Sequence, residues 1–512
     1  MSAWSYGYVS NVGYTYGYYH ELNPLRAIVP MLQEGLAVPE IKNACELGFG
    51  QGVSLNAHAA AQQIRWYGTD FNPAHAAFAR DLASTCGSNA LITDQDFASF
   101  CSRDDLPEFE FIGLHGIWSW ISDDNRRIIA DFVRRKLAVG GILYISYNTL
   151  PGWSAHAPIR HLLAMHDNVR SVGGQSHEQN VQNALAFGSR VLAQSPLVQH
   201  NAPNIAKRLD EIAKQNTNYL AHEYLNRDWH PMYYADLAQW LEPAKVGFAC
   251  SANYLDDFNL CLYTAEQQKL MDEVAGTPLA QTVKDFLLNK QFRRDLWVKG
   301  ARRLNNVQLA QQRGKQRFVL TVPRESVELS VSNHVTVGLM PEVFEPVLEI
   351  LSDHQVHRTA DITQALAGKA NPAQVFAALT ILHAKHQVAQ VQDEVSVEAA
   401  RGRCRAFNES VIAAAHNNGE IYYLTSPLSG GAVSVSRIDL LFAEAHNHGL
   451  REPQQWAAHT WQILQAQGQA MLNKDGEALT TEADNLAELT RLAEEFAKQR
   501  LIALKALQIL TE

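Results

Sequence analysis

Between about residues 40 and 150, short apolar runs alternate with stretches of helical period. "IKNACELGF" reads as a first strand, and "QQIRWYGTDF" holds a second that ends at Asp70. "NALITDQDF" supplies a third and "FEFIGLHG" a fourth. "AVGGILYISYN" supplies a fifth, behind the helical pattern "NRRIIADFVRRKL". Strand–helix alternation at this spacing predicts a parallel sheet covered by helices on both faces, with ligands at the carboxyl ends of the strands.

Beyond that unit the pattern changes. Residues 156–217 are helical and polar with no strand signal, a helical insertion or linker. Residues 218–305 open on the aromatic stretch "HEYLNRDWHPMYYADLAQWLEP". Residues 306–395 read as helices followed by a short strand, a winged-helix-like order. Residues 396–512 are mostly helical and end in an amphipathic helix. Its stripe of Leu486, Leu489, Ala493, Phe496, Leu501, Leu504 and Leu507 reads as core or homodimer packing. The predicted architecture is therefore α/β: a Rossmann-like domain over residues 1–155, followed by mainly helical domains.

Composition narrows the class. A chain of 512 residues exceeds one hydrophobic core. No apolar run is long enough for membrane insertion, and "MSAWSYGYVS" has neither a basic segment nor an apolar core. The six cysteines show no paired spacing, which suits a reducing, cytoplasmic setting. A net charge of −10 disfavours bulk nucleic-acid affinity.

The chemistry begins at "ACELGFGQGVSLN", where Glu46 precedes Gly48, Gly50 and Gly52. A dinucleotide turn is written G-x-G-x-x-G, so that helix N–H groups meet a pyrophosphate. Here the spacing is G-x-G-x-G behind an acid. That acid repels phosphate but accepts hydrogen bonds from an ammonium group. S-adenosyl-L-methionine has the ammonium, a ribose and an adenine, and no phosphate. The glycines remove side chains where the backbone must approach it closely. Asp70, at the end of the second strand, is placed to clamp the ribose hydroxyls, with Phe71 beside it. Asp96 is placed to accept the adenine amine, with Phe97 stacking on the base. Asp94 competes with Asp96 for that role.

These stretches resemble the class I S-adenosylmethionine-dependent methyltransferases, and within them the bacterial group that carries a methyltransferase regulatory domain. The rickettsial protein-lysine methyltransferases belong to that group. The likeness rests on "YTYGYYHELNP", "CELGFGQG", "GTDFNPAHAAFAR", "LHGIWSWI", "GGILYISYNTLPGW" and "HEYLNRDWHPMYYADLAQWLEP". It is dense over the first 150 residues, extends to about 305, and is looser at "RCRAFN" and "LTSPLSGG". The resemblance implies methyl transfer from S-adenosyl-L-methionine and a regulatory domain over 218–305.

Methyl transfer from a sulfonium is an in-line displacement that needs alignment, exclusion of water and a free lone pair on the acceptor. The acceptor walls are expected after strands four and five. His115, Trp118, Tyr147 and Asn148 are the catalytic candidates, with His115 also a cofactor contact or a structural histidine. Trp118 and Trp120 lie two apart, and one of them is expected in the core. Tyrosines 6, 8, 14, 16, 18 and 19 read as an aromatic lid or a packed arm, with Tyr14 over the cofactor. No metal is expected, because displacement from a sulfonium needs no Lewis acid.

The favoured acceptor is a lysine amine of a protein partner. A small molecule or a nucleic acid is the alternative, the latter supported by the basic run Lys290–Arg317. The region after 217 is expected to lie beyond the cofactor sheet and to present the substrate. Residues 1–217 are then expected to bind cofactor alone.

Overall fold

A computed structural model describes residues 14–170, 176–214, 220, 223, 224, 226–417 and 419–510. Tyr6 and Tyr8 of the tyrosine cluster lie outside the described residues.

The five expected strands are present as β1 (Asn43–Leu47), β2 (Arg65–Thr69), β3 (Leu91–Thr93), β4 (Phe109–Leu114) and β5 (Leu137–Asn148). They run parallel in the order 3-2-1-4-5, as the strand–helix alternation requires. The sheet continues through two strands that the pattern did not reveal, β6 (Val246–Ser251) and β7 (Phe292–Lys299). Both pair antiparallel, giving a seven-stranded mixed sheet of order 3-2-1-4-5-7-6. The stretch expected to lie beyond the cofactor sheet therefore completes it.

Strand alternation sorts the two faces. Cys45, Leu47, Ile112, Leu114, Leu143, Ile145, Tyr147 and Trp297 fill one layer. Ala44, Phe111, Ile142, Tyr144, Leu296 and Val298 fill the other. Glu46, His115, Ser146 and Arg294 fall in phase with the second set, at the carboxyl end of the sheet. The segment Tyr14–Asn23 crosses this face. Its Leu22 lies so close to β4 that a Cβ on Gly113 would come within 2.6 Å of it.

The helical stretch is a unit with its own small core, where Ile159 and Leu163 meet Val181, Leu185 and Leu209. Further on, strands at Arg317–Leu320, His357–Arg358 and Val388–Val391 form an antiparallel sheet with helices around it. The expected order of helices and then a short strand is present from Pro341 to Val391, but a winged helix is not confirmed for this sheet. Its central strand precedes the helices, and the last strand leads into the helix Glu394–Ala415 rather than into a wing hairpin.

The C-terminal stripe packs inside the chain. Leu489, Ala493, Phe496 and Leu504 join Phe442 and Trp456 in one core. A π-turn at Phe496–Arg500 absorbs the five-residue step from Phe496 to Leu501 that breaks the helical spacing. The same core includes Ala57 and Ala60 of the helix Val53–Ala61, so the C-terminal region is bolted to the cofactor domain. The "LTSPLSGG" turn takes part: Gly430 O accepts from Gln62 Nε2 at 2.6 Å and Asn23 Nδ2 at 3.3 Å.

Candidate active site

The glycine turn does two different things. Gly48 and Gly50 have φ of +76° and +57° and line a cavity at the carboxyl ends of β1 and β2. A Cβ on Gly50 would come within 3.0 Å of the Tyr14 ring. Gly52, φ +70°, does not face that cavity. A Cβ there would come within 2.6 Å of Ala79 Cβ on the helix Pro73–Cys86. Its smallness serves helix packing rather than cofactor approach.

Asp70 ties the turn to the second strand. Its Oδ2 accepts from Gly50 N at 2.9 Å, and its Oδ1 accepts from Asn72 N at 3.0 Å. His75 Nδ1 lies 3.2 Å from the same Oδ1. Asp70, Phe71, Asp96 and Phe97 all line the cavity. Asp96 also caps the helix Phe97–Cys101 by accepting from Ser99 N at 2.8 Å. Asp94 does not line the cavity and is engaged in an exposed pair with Arg80 at 2.9 Å.

Glu46 is 3% exposed, and its Oε2 has no hydrogen-bond partner among the described residues. Burial and the neighbouring Asp70 charge push its carboxyl up to about 8. A buried acid without a partner is costly unless a cation completes it. An α-ammonium group is such a cation, so the residues present fit S-adenosyl-L-methionine.

His115, next in the chain to the cavity-lining Gly116, does not itself line the cavity. Its Nδ1 is 2.7 Å from the Tyr144 hydroxyl, and Tyr19 stacks on its ring at 4.0 Å. Burial pushes the imidazole down to about 4, against the opposing charge of Glu21, so it is neutral at pH 7. The segment's tyrosines divide by position. Tyr14 lines the cavity and Tyr19 covers His115, whereas Tyr16 packs on Phe78. The Tyr18 hydroxyl accepts from Ala432 N at 3.0 Å and lies 3.1 Å from His58 Nε2.

Three of the catalytic candidates are placed elsewhere. Trp118 is fully buried, edge-on to Trp240, while Trp120 two residues on lines the cavity. Tyr147 points to the opposite face of β5, where its hydroxyl donates to Asp295 Oδ2 at 3.1 Å. Asn148 is buried, with its N donating to Ser119 Oγ at 2.8 Å and its O accepting from Met232 N at 3.1 Å. For Tyr147 the reason is the two-residue period of a strand: Tyr144 and Ser146 share the site's face, and Tyr147 does not, whereas Asn148 is in phase with them but does not line the cavity. Ser146 Oγ accepts from Gly116 N at 2.8 Å and shapes the loop after β4.

Part of the cavity wall comes from the stretch expected to present the substrate beyond the cofactor sheet. Asn226, Arg227 and Asp228, from "NRDWHPMYY", line it directly. The following residues run beside the end of β5, with His230 N donating to Ser119 O at 2.8 Å. Acids outnumber bases around the lining: Asp70, Asp96 and Asp228 against Arg227, which pairs with Asp228 at 3.0 Å.

This arrangement is that of a class I methyltransferase. A predicted methyltransferase regulatory domain matches residues 216–299. An uncharacterized protein of Synechocystis sp. is 35% identical over 515 residues, covering 99% of this chain and 99% of its own. An uncharacterized protein of Rickettsia prowazekii is 26% identical over 279 residues, 51% of this chain and 47% of its own. The structure of PKMT2 from Rickettsia typhi in complex with AdoHcy superposes with a TM-score of 0.68 at 14% identity, covering 96% of this chain and 99% of that one. The chain belongs to the class I methyltransferases that carry a methyltransferase regulatory domain.

Proposed function

We propose that this S-adenosyl-L-methionine-dependent methyltransferase acts on the side-chain amine of lysine in a protein acceptor. The observation that carries the reading is the buried, unpartnered Oε2 of Glu46 behind an acid-rimmed, aromatic-walled cavity. That surface suits a cationic donor and a side chain that arrives as an ammonium. The resemblance to the rickettsial protein-lysine methyltransferases supports lysine, as does the likeness to PKMT2 of R. typhi.

Bound S-adenosyl-L-methionine supplies an electrophilic methyl group on a sulfonium. Glu46 would accept from the ammonium, Asp70 from the ribose hydroxyls and Asp96 from the adenine amine. Phe71 and Phe97 would supply apolar surface to the cofactor, and Tyr14 lies against Gly50. Tyr144 fixes the His115 ring through Nδ1, and Tyr19 holds it flat. A histidine with its basicity lowered this far is a weak proton acceptor, so His115 supports the loop at Gly116, and the proton leaves to solvent. Tyr147 and Asn148 hold the end of β5, and Trp118 supports the loop that presents Trp120.

The basic run offered for nucleic acid is dispersed. Arg293 pairs with Asp285 and Asp295, Lys290 with Asp256, Arg294 with Glu21 and Arg317 with Glu394. Lys299, Arg303 and Arg313 donate to backbone carbonyls. Seven of the nine cations of the run are thus engaged, which weighs against a continuous patch for a phosphate backbone.

The test supplies labelled cofactor to the purified protein with lysate protein, untreated or with its amines acylated beforehand. The reading predicts label on the untreated protein alone. Equal labelling of both samples overturns a lysine acceptor.

A further inference from the structure

The cavity wall formed by Asn226–Asp228 is held by a residue from another unit. Arg160, on the helix Ala157–Arg170 of the helical unit, is 4% exposed. Its Nη2 donates to Asn226 O at 2.6 Å, and its Nε donates to Glu223 O at 3.4 Å. Its guanidinium carbon lies 4.9 Å from the Trp229 ring centroid and 5.8 Å from that of Trp120. Trp153 closes the cluster edge-on to Trp229 at 5.0 Å. Two separate stretches meet on this one cation, the loop after β4 through Trp120 and the regulatory region through Asn226 and Trp229, and the turn after β5 joins them through Trp153 on Trp229.

We propose that Arg160 is a positioning residue for cofactor binding, by which the helical unit sets the wall that the regulatory region contributes to the cavity. Glu223 to Trp229 connect no strand of the sheet to its neighbour, so the sheet ladder does not fix their course. A planar guanidinium satisfies two carbonyls of this segment and stacks on two indoles at once. An ammonium in its place keeps the charge and one hydrogen bond but not the stacking geometry. Removal of the cation leaves Asn226 O without its donor and lets the Trp229 ring shift, and Asn226, Arg227 and Asp228 move with it. The regulatory region thereby acquires a physical means of acting on methyl transfer: it is part of the cofactor pocket, and its position depends on the helical unit.

This inference rests on the cavity being the cofactor site. Titration calorimetry of the full-length chain with S-adenosylhomocysteine tests it, on the wild type, Arg160→Lys, Arg160→Leu and the control Leu185→Ala. Leu185 is buried in the core of the same helical unit and is not among the residues that line the cavity. We expect Arg160→Leu to raise Kd about tenfold or more, Arg160→Lys to fall in between, and Leu185→Ala to lower thermal stability with Kd unchanged. If Arg160→Leu does not fold, a several-fold rise in Kd for Arg160→Lys is the required result. Folded arginine variants that bind like the wild type overturn the proposal. So does Leu185→Ala, if it weakens binding as much as they do. A wild type that does not bind the ligand removes the cofactor assignment itself, a different failure from a wild type that binds and variants that match it.

Discussion

Gly50 and Asp70, twenty residues apart, are joined by a 2.9 Å hydrogen bond from the glycine N–H to the aspartate Oδ2. The acid proposed to hold the ribose is the same one that fixes the turn. Asp70→Ala therefore removes a cofactor ligand and a turn fastener together. Cofactor binding should weaken by about 1.5–3 kcal/mol, the range for hydrogen bonds to a charged group. Gly50→Val should bind no cofactor, since φ is +57° and Tyr14 already fills the space beside it. Calorimetry giving wild-type affinity for both variants would sink the assignment.

Gly52 separates packing from binding. Gly52→Ala puts a Cβ against Ala79 at a positive φ, so it should lower the melting temperature. The folded fraction should still bind cofactor far better than Gly50→Val. A Gly52→Ala protein of normal stability that has lost binding would return this glycine to the cofactor.

Glu46 makes the site sensitive to pH in a fixed direction. Its carboxyl, pushed to about 8, sits above its ordinary value of 4.5. Its contribution to the stability of the empty protein is therefore full below pH 4.5 and is lost as pH rises through 8. Cofactor acts the other way, because the ammonium favours the carboxylate. Affinity should rise with pH up to about 8, and binding at pH 7 should release a proton. Glu46→Gln should abolish both trends while binding weakly. Calorimetry in buffers of different ionisation enthalpy reads the proton directly, and no buffer dependence in the wild type would contradict this.

Tyr144 and Tyr147 lie three apart on β5 and should respond oppositely. Tyr144→Phe leaves His115 without its 2.7 Å partner and should lower kcat at near-normal stability. Tyr147→Phe removes the hydroxyl donated to Asp295 and should lower stability by about 1–3 kcal/mol with kcat unchanged. Denaturation curves and initial rates on both proteins check the pair.

Truncation after residue 217 removes β6 and β7. Loss of β7 bares the edge of β5 from Ile142 to Asn148 and uncovers Tyr147 and Leu143. That fragment should aggregate rather than bind cofactor on its own, contrary to the simplest reading of the sequence. A soluble, cofactor-binding 1–217 fragment would show that the last two strands are dispensable.

The parts of the site that could be read in the chain are the local ones. The turn from Glu46 to Gly50, Asp70 after β2 and Asp96 after β3 each follow a strand end, and strand order carries them together. Tyr147 was misplaced because a strand's phase decides which side chains face a site, and a strand buried on both faces does not display its phase. β7 was hidden for a related reason. Its Arg293 and Asp295 are buried against Asp285 and Tyr147, so a central strand looks like a basic surface run. Asn226–Asp228 reach the cavity only through tertiary contacts with Arg160 and the end of β5, and no local spacing announces that.

The central claim is methyl transfer to protein lysine. The most direct measurement incubates the purified chain with methyl-labelled S-adenosyl-L-methionine and a cell lysate. Protein, nucleic acid and small molecules are then separated, and the labelled protein is hydrolysed to amino acids. The account predicts label in the protein fraction, recovered as methylated lysine, and lost with Asp70→Ala. Label confined to nucleic acid or small molecules, with the protein fraction blank, would contradict it.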